Sequence, residues 1–181
     1  MLLRRIRPLL LAPALVLALA GTGFGAMATP ASASARTSGH VFALAHGTFV
    51  GQPLTVTSVV PDGAIYRIEG FSGDHWDGTL TGDTSYSGSG TFDPATGAVA
   101  MVLHETFTGT VAGVGSGQIQ FVEYLQQSGP GNATVDCLVT SATGDLAGLH
   151  GYVHFRQTGV IDPDPTGNGT SVGDYIGALF R

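Results

Sequence analysis

The chain has 181 residues, thirteen acids against seven arginines, no lysine and a formal charge of −6. An acidic chain without lysine cannot track a phosphate backbone or adhere to an anionic bilayer, which argues against nucleic-acid and membrane-surface partners. Cys137 is the single cysteine, so no intrachain disulfide forms and stability must come from a core.

In chain order, the first predicted element is an export signal. Arg4, Arg5 and Arg7 precede an apolar stretch from Leu9 to Ala20, and a small-residue tail ends in Ala33-Ser34-Ala35. Basic, apolar and small segments in that order read as a cleaved secretory leader. The apolar run falls short of the roughly 20 residues a spanning helix needs. An uncleaved anchor is the competing reading, and the Arg4-Arg5 pair leaves the twin-arginine route open beside the general one. No Cys stands at the cleavage point, which excludes a lipoprotein anchor. Cleavage after Ala35 makes residues 1–35 a signal peptide and residues 36–181 one domain. That domain keeps thirteen acids and four arginines, a charge of −9. The expected location is therefore extracellular.

The remainder carries almost no helix signal. Short alternating or β-branched runs recur between turn residues, which predicts strands in a sandwich or barrel. They fall at His40–Val50, Leu54–Val60, Ala64–Phe71, His75–Leu80, Thr84–Phe92, Ala98–Val111, Gly117–Gln126, Ala133–Thr143, Leu149–Gln157 and Tyr175–Phe180. Pro61-Asp62-Gly63, Asp93–Gly97, Ser128–Asn132 and Thr143-Gly144-Asp145 have the composition of turns. Residues 145–148 suit a single helical turn. Ile161–Thr170 reads as a loop, because Pro163 and Pro165 rule out a central strand. Glycines inside strands, such as Gly88, Gly90 and Gly109, suit the bends of a small barrel.

Two motifs carry a resemblance. Glu105-Thr106-Phe107-Thr108-Gly109-Thr110-Val111, followed by Gly113 to Gly117, is the first. Thr143-Gly144-Asp145-Leu146-Ala147-Gly148-Leu149-His150-Gly151 is the second. Their order and spacing over Thr79–Phe155 resemble a bacterial family of uncharacterised proteins similar to allene oxide cyclases. That resemblance implies an all-β fold: a single antiparallel closed β-barrel of about eight strands. Allene oxide cyclases steer the closure of an unstable epoxide in an apolar cavity, so the resemblance implies a cavity more than a reaction.

Period-two alternation sorts candidate residues into faces. Leu103, Glu105 and Phe107 share one face of their strand, and Ile119, Phe121, Glu123 and Leu125 share one face of the next. With these faces inward, Glu105 and Glu123 enter the barrel, share a proton and form a catalytic candidate. The competing placement is a solvated barrel mouth. Trp76, Phe107 and Phe121 are candidate ligand contacts. Arg67 joins them if its face turns inward, where it would hold a carboxylate; otherwise Arg67 and Glu69 lie outside. His75-Trp76-Asp77 reads either as a binding mouth or as an aromatic covering the core. Cys137, among apolar neighbours, reads as a buried inert thiol, with a reactive thiol as the alternative.

No metal site is expected. His150 and His154 share a strand face with Tyr152 and Arg156 but sit about 13 Å apart at strand spacing, too far for one ion without another strand. No cofactor motif and no nucleophile–base order appears. The expected partner is a small hydrophobic molecule in the cavity. The alternatives are an isomerase or cyclase using Glu105 and Glu123, and a non-catalytic extracellular interaction protein. The oligomeric state stays open.

Overall fold

The computed structural model describes residues 41–129, 132–163 and 169–181, and the leader assigned to residues 1–35 lies outside them. Ten strands follow one another: β1 (Phe42–Gly51), β2 (Thr55–Asp62), β3 (Ile65–Ser72), β4 (Asp74–Gly78), β5 (Leu80–Asp93), β6 (Ala98–Val111), β7 (Gly115–Gln127), β8 (Ala133–Ala142), β9 (His150–Ile161) and β10 (Thr170–Phe180). Every pairing is antiparallel. The ring runs β5–β4–β1–β10–β9–β8–β7–β6 and returns to β5, which closes an eight-stranded barrel. β2 and β3 pair beside the second half of β5, where Tyr66 faces Phe92 and Ser72 faces Tyr86, and extend the sheet there.

The turns follow from their residues. Gly63 takes φ 66° between β2 and β3, and Gly97 takes φ 75° between β5 and β6, both in the left-handed region that glycine enters cheaply. Asp93 caps the second turn: its carboxylate accepts from Ala95 N at 2.9 Å and from Thr96 Oγ1 at 2.8 Å. The short helical element is a 3₁₀ turn at Gly144–Leu146, which drops Leu146 into the core.

Several boundaries differ from the sequence reading. β10 begins at Thr170 rather than Tyr175, and β9 runs on to Ile161. Gly173 and Gly177 mask the alternation of β10, yet both are needed. A Cβ on Gly173 would meet Arg156 O at 2.1 Å and the Phe49 ring at 2.6 Å. Leu80 opens β5 instead of ending the strand before it, because the chain reverses at Gly78, whose φ is 128°.

The interior holds two apolar clusters. One surrounds Trp76, with Leu80, Phe107, Val111, Ile119, Phe121, Leu146, Leu149, Val153, Phe155, Tyr175 and Leu179. The other joins Ile68, Met101 and Leu103, with Tyr66, Tyr86, Phe92 and Leu125 against them. Along β6 the inward positions pass from Met101 and Leu103 through Glu105 to Phe107 and Val111. Along β7 they pass from Ile119 and Phe121 through Glu123 to Leu125. The carboxyl groups thus form a polar belt between the two clusters.

Candidate functional site

The belt is assembled from five strands. Asp74 opens β4, Tyr86 lies in β5, Glu105 in β6, Glu123 in β7 and Cys137 in β8. Glu105 is 2% exposed and Glu123 4% exposed, the two charged residues of the core. Alternation delivers both: Glu123 pairs across with Leu103 and with Cys137, while Glu105 sits diagonally from it, opposite Phe121. The Cys137 thiol donates to Glu123 Oε1 at 3.2 Å.

Burial dominates the electrostatics. It pushes the Glu105 carboxyl well above the usual range, and the negative charge of Glu123 adds to the effect. Asp74 is raised to about 7, first by desolvation and then by Glu123. Tyr86 and the Cys137 thiol are also pushed up by burial, with the neighbouring carboxylates contributing. Trp76 and Tyr86 lie near enough to oppose the Asp74 shift weakly. Neither Asp74 Oδ1 nor Trp76 Nε1 reaches full hydrogen-bond geometry, and Glu105 Oε2 is likewise buried without a partner. Arg67, Arg156 and Arg181 are all exposed, so among the described residues no arginine neutralises the belt from within.

A cavity of about 70 Å³ opens beside the belt. Its walls are Phe49, Trp76, Tyr86, Leu103, Leu125 and Phe155, with Asp74 and Glu123 among them and half-buried Gln157 and Ser171 at the rim. That is room for several waters or a few heavy atoms, well below the roughly 300–1,000 Å³ of a drug-sized pocket. Glu105, Glu123 and Cys137 also bring potential metal-ligating atoms within 4.8 Å of one another. A metal would have to displace the Cys137 proton, which burial holds in place.

The other candidates fall as follows. Trp76, Phe107 and Phe121 are buried and packed ring on ring, with Trp76 centroids 5.2 Å from Phe107 and 5.7 Å from Phe121. Of these three only Trp76 lines the cavity. Arg67 does not enter the barrel. Ile68 takes the inward position beside it, and the Arg67 side chain, 68% exposed, pairs with Asp62 at 3.0 Å. His75-Trp76-Asp77 divides in the same way: His75 pairs outside with Asp83 at 2.7 Å while Trp76 points into the core. His154 and Arg156 sit outside, paired with Asp136 and Asp174 at 2.8 Å each.

Sequence reasoning missed Asp74 and Tyr86. The signal was present for Asp74, two positions before inward Trp76. The break at Gly73 hid it. A Cβ there would come within 2.3 Å of Thr84 O, so the backbones of β4 and β5 touch at that point. Asp74 N then donates to Thr84 Oγ1 at 2.9 Å and turns the carboxyl inward.

No protein-family model matches the chain, and no curated protein matches it. Among solved structures it is similar to a protein of unknown function of the DUF3224 family from Shewanella oneidensis MR-1. That match has a TM-score of 0.55 at 14% identity and covers 78% of this chain and 98% of the other. A pterocarpan synthase dirigent protein matches with a TM-score of 0.48 at 14% identity, over 85% of this chain and 99% of its own. At such identity the DUF3224 likeness is one of fold: the chain has the closed barrel that the glycine motifs implied, shared with a protein of an uncharacterised family.

Proposed function

We propose that this barrel binds a small molecule with an apolar body and one polar group, seated in the cavity beside Asp74 and Glu123. One observation carries the reading: an apolar-walled space ends on the carboxyl groups of Asp74 and Glu123, and Asp74 Oδ1 is buried there without a partner. Such an oxygen costs free energy until something donates to it. The size of the cavity limits the ligand to a few heavy atoms inside, with any remainder leaving past Gln157 and Ser171. The leader-like segment of residues 1–35 supports export, so the ligand would be met outside the cytoplasm.

The experiment uses Trp76, the only tryptophan. n-Butanol is titrated against its fluorescence, and amide shifts are mapped by NMR. Saturable binding with shifts centred on Phe49, Asp74, Trp76, Leu103 and Phe155 supports the reading. No saturable change for butanol or for the charged analogues described below overturns it.

A second reading, proton transfer to a bound substrate, is favoured by Asp74. A carboxyl raised to about 7 can both accept and return a proton near neutrality.

A further inference from the structure

The geometry points to an organic cation as the ligand: a primary ammonium group seated among Asp74, Glu123 and the aromatic walls, its chain leaving past Gln157 and Ser171. This rests on the reading of the cavity as a ligand site and names the ligand's chemical class.

Three features carry it. The first is charge. Asp74, Glu105 and Glu123 converge inside the barrel, and every described arginine is outside. Without an interior counter-charge, only a proton or an entering cation can neutralise the belt. The second is the pattern of missing partners. Asp74 leaves Oδ1 buried without a donor at the cavity wall, and Glu105 behind it leaves Oε2 without one outside the lining. An ammonium brings three N–H donors and no acceptor, which suits Asp74 Oδ1 with the Glu123 carboxyl beside it. The third is the wall itself. Phe49, Trp76, Tyr86 and Phe155 surround the space, and aromatic faces attract cations most strongly where water is excluded.

Competing ligand classes fit less well. A carboxylate would meet the like-charged carboxyl groups of Asp74 and Glu123 at the wall. An alcohol can donate one hydrogen bond but leaves the charge uncompensated. Gly51 keeps the approach to Asp74 clear, because a Cβ there would stand 2.6 Å from Asp74 Oδ1 and 2.3 Å from Ser171 Oγ.

The test compares n-butylammonium, n-butanol and butyrate, three chains of matched length whose heads differ in charge. Trp76 fluorescence and amide shifts are read at about pH 8, above the Asp74 midpoint and below that of the amine. The expected result is that butylammonium binds at least about tenfold more tightly than butanol, as charge-assisted hydrogen bonds require, while butyrate does not bind. Asp74→Asn should remove most of that preference for butylammonium over butanol. Glu123→Gln, also isosteric, serves if the first variant does not fold, and Glu69→Gln on the outer face should change nothing. Equal binding of butylammonium and butanol, or tighter binding of butyrate, overturns the cation assignment while leaving the cavity reading intact. Failure of all three probes overturns both.

Discussion

The same strands build both ends of the barrel, yet the two ends differ in what fills them. At one end Trp76 meets Phe107, Phe121, Phe155 and Tyr175 with ring centroids 4.6–5.7 Å apart. Leu146 from the 3₁₀ turn and Leu149 from the segment that follows it pack into that end. The Tyr175 hydroxyl accepts from Leu80 N and donates to Leu80 O, both at 2.9 Å, so even its polar atom is satisfied. At the other end Ile68, Met101 and Leu103 form a smaller cluster, and a cavity remains between it and the carboxyl belt. One end is packed for stability. The other keeps unsatisfied polar atoms at a space, the arrangement expected where a fold gives up stability for a site.

Substitutions that truncate each end should therefore separate in size. Phe107→Ala removes a fully buried ring stacked on Trp76 and should cost about 3–5 kcal/mol in denaturant unfolding. Leu125→Ala beside the existing cavity should cost roughly 1–2 kcal/mol, because less new void is created. Equal losses would erase the contrast.

A backbone substitution comes next. A Cβ on Gly47 would lie 2.0 Å from Asp77 O and 2.5 Å from Tyr175 Oη. Gly47→Ala should cost about 1–3 kcal/mol by forcing β1 from β4 and disturbing the Tyr175 bond. A melting temperature equal to that of the parent would show that the closed end yields more readily than its packing implies.

The belt predicts an unusual pH dependence. Asp74 is raised in the folded chain from 3.8 to about 7, so between those values the folded chain binds the proton and the unfolded chain does not. Folding stability should then fall as pH rises through that window, with Glu105 acting in the same direction. Asp74→Asn should flatten part of the slope, as read by melting temperature against pH. Stability that rises through the window would place the carboxyls in water.

The smallest effect belongs to the outer face. Arg67→Ala breaks an exposed pair with Asp62 and should change stability by about 0.5 kcal/mol or less, with ligand binding untouched. Loss of binding in that variant would bring Arg67 into the site.

How far the sequence revealed this contrast depends on the strand. On β6 and β7 alternation is unbroken, so Glu105 and Glu123 were legible as an inward pair, and the two glycine motifs carried the barrel. On β3 and β4 it was not. The chain bends at Gly73, and the face of Asp74 became clear only once β4 was paired with β1 and β5. Arg67 was ambiguous because Ile65, Arg67, Glu69 and Phe71 share a face of mixed polarity. The buried Ile68 settles it. The size of the cavity was not legible at all. It depends on how many rings crowd one end, and a period-two pattern assigns side chains to a face without saying how fully they fill the space.

The most direct test of the belt is a carboxyl ¹³C NMR titration of the folded protein. The expected result is an Asp74 midpoint near 7 and a Glu105 carboxyl that stays protonated well above the usual carboxylate range. Midpoints for both near their ordinary values of about 4 would show solvated groups and contradict a buried, uncompensated site.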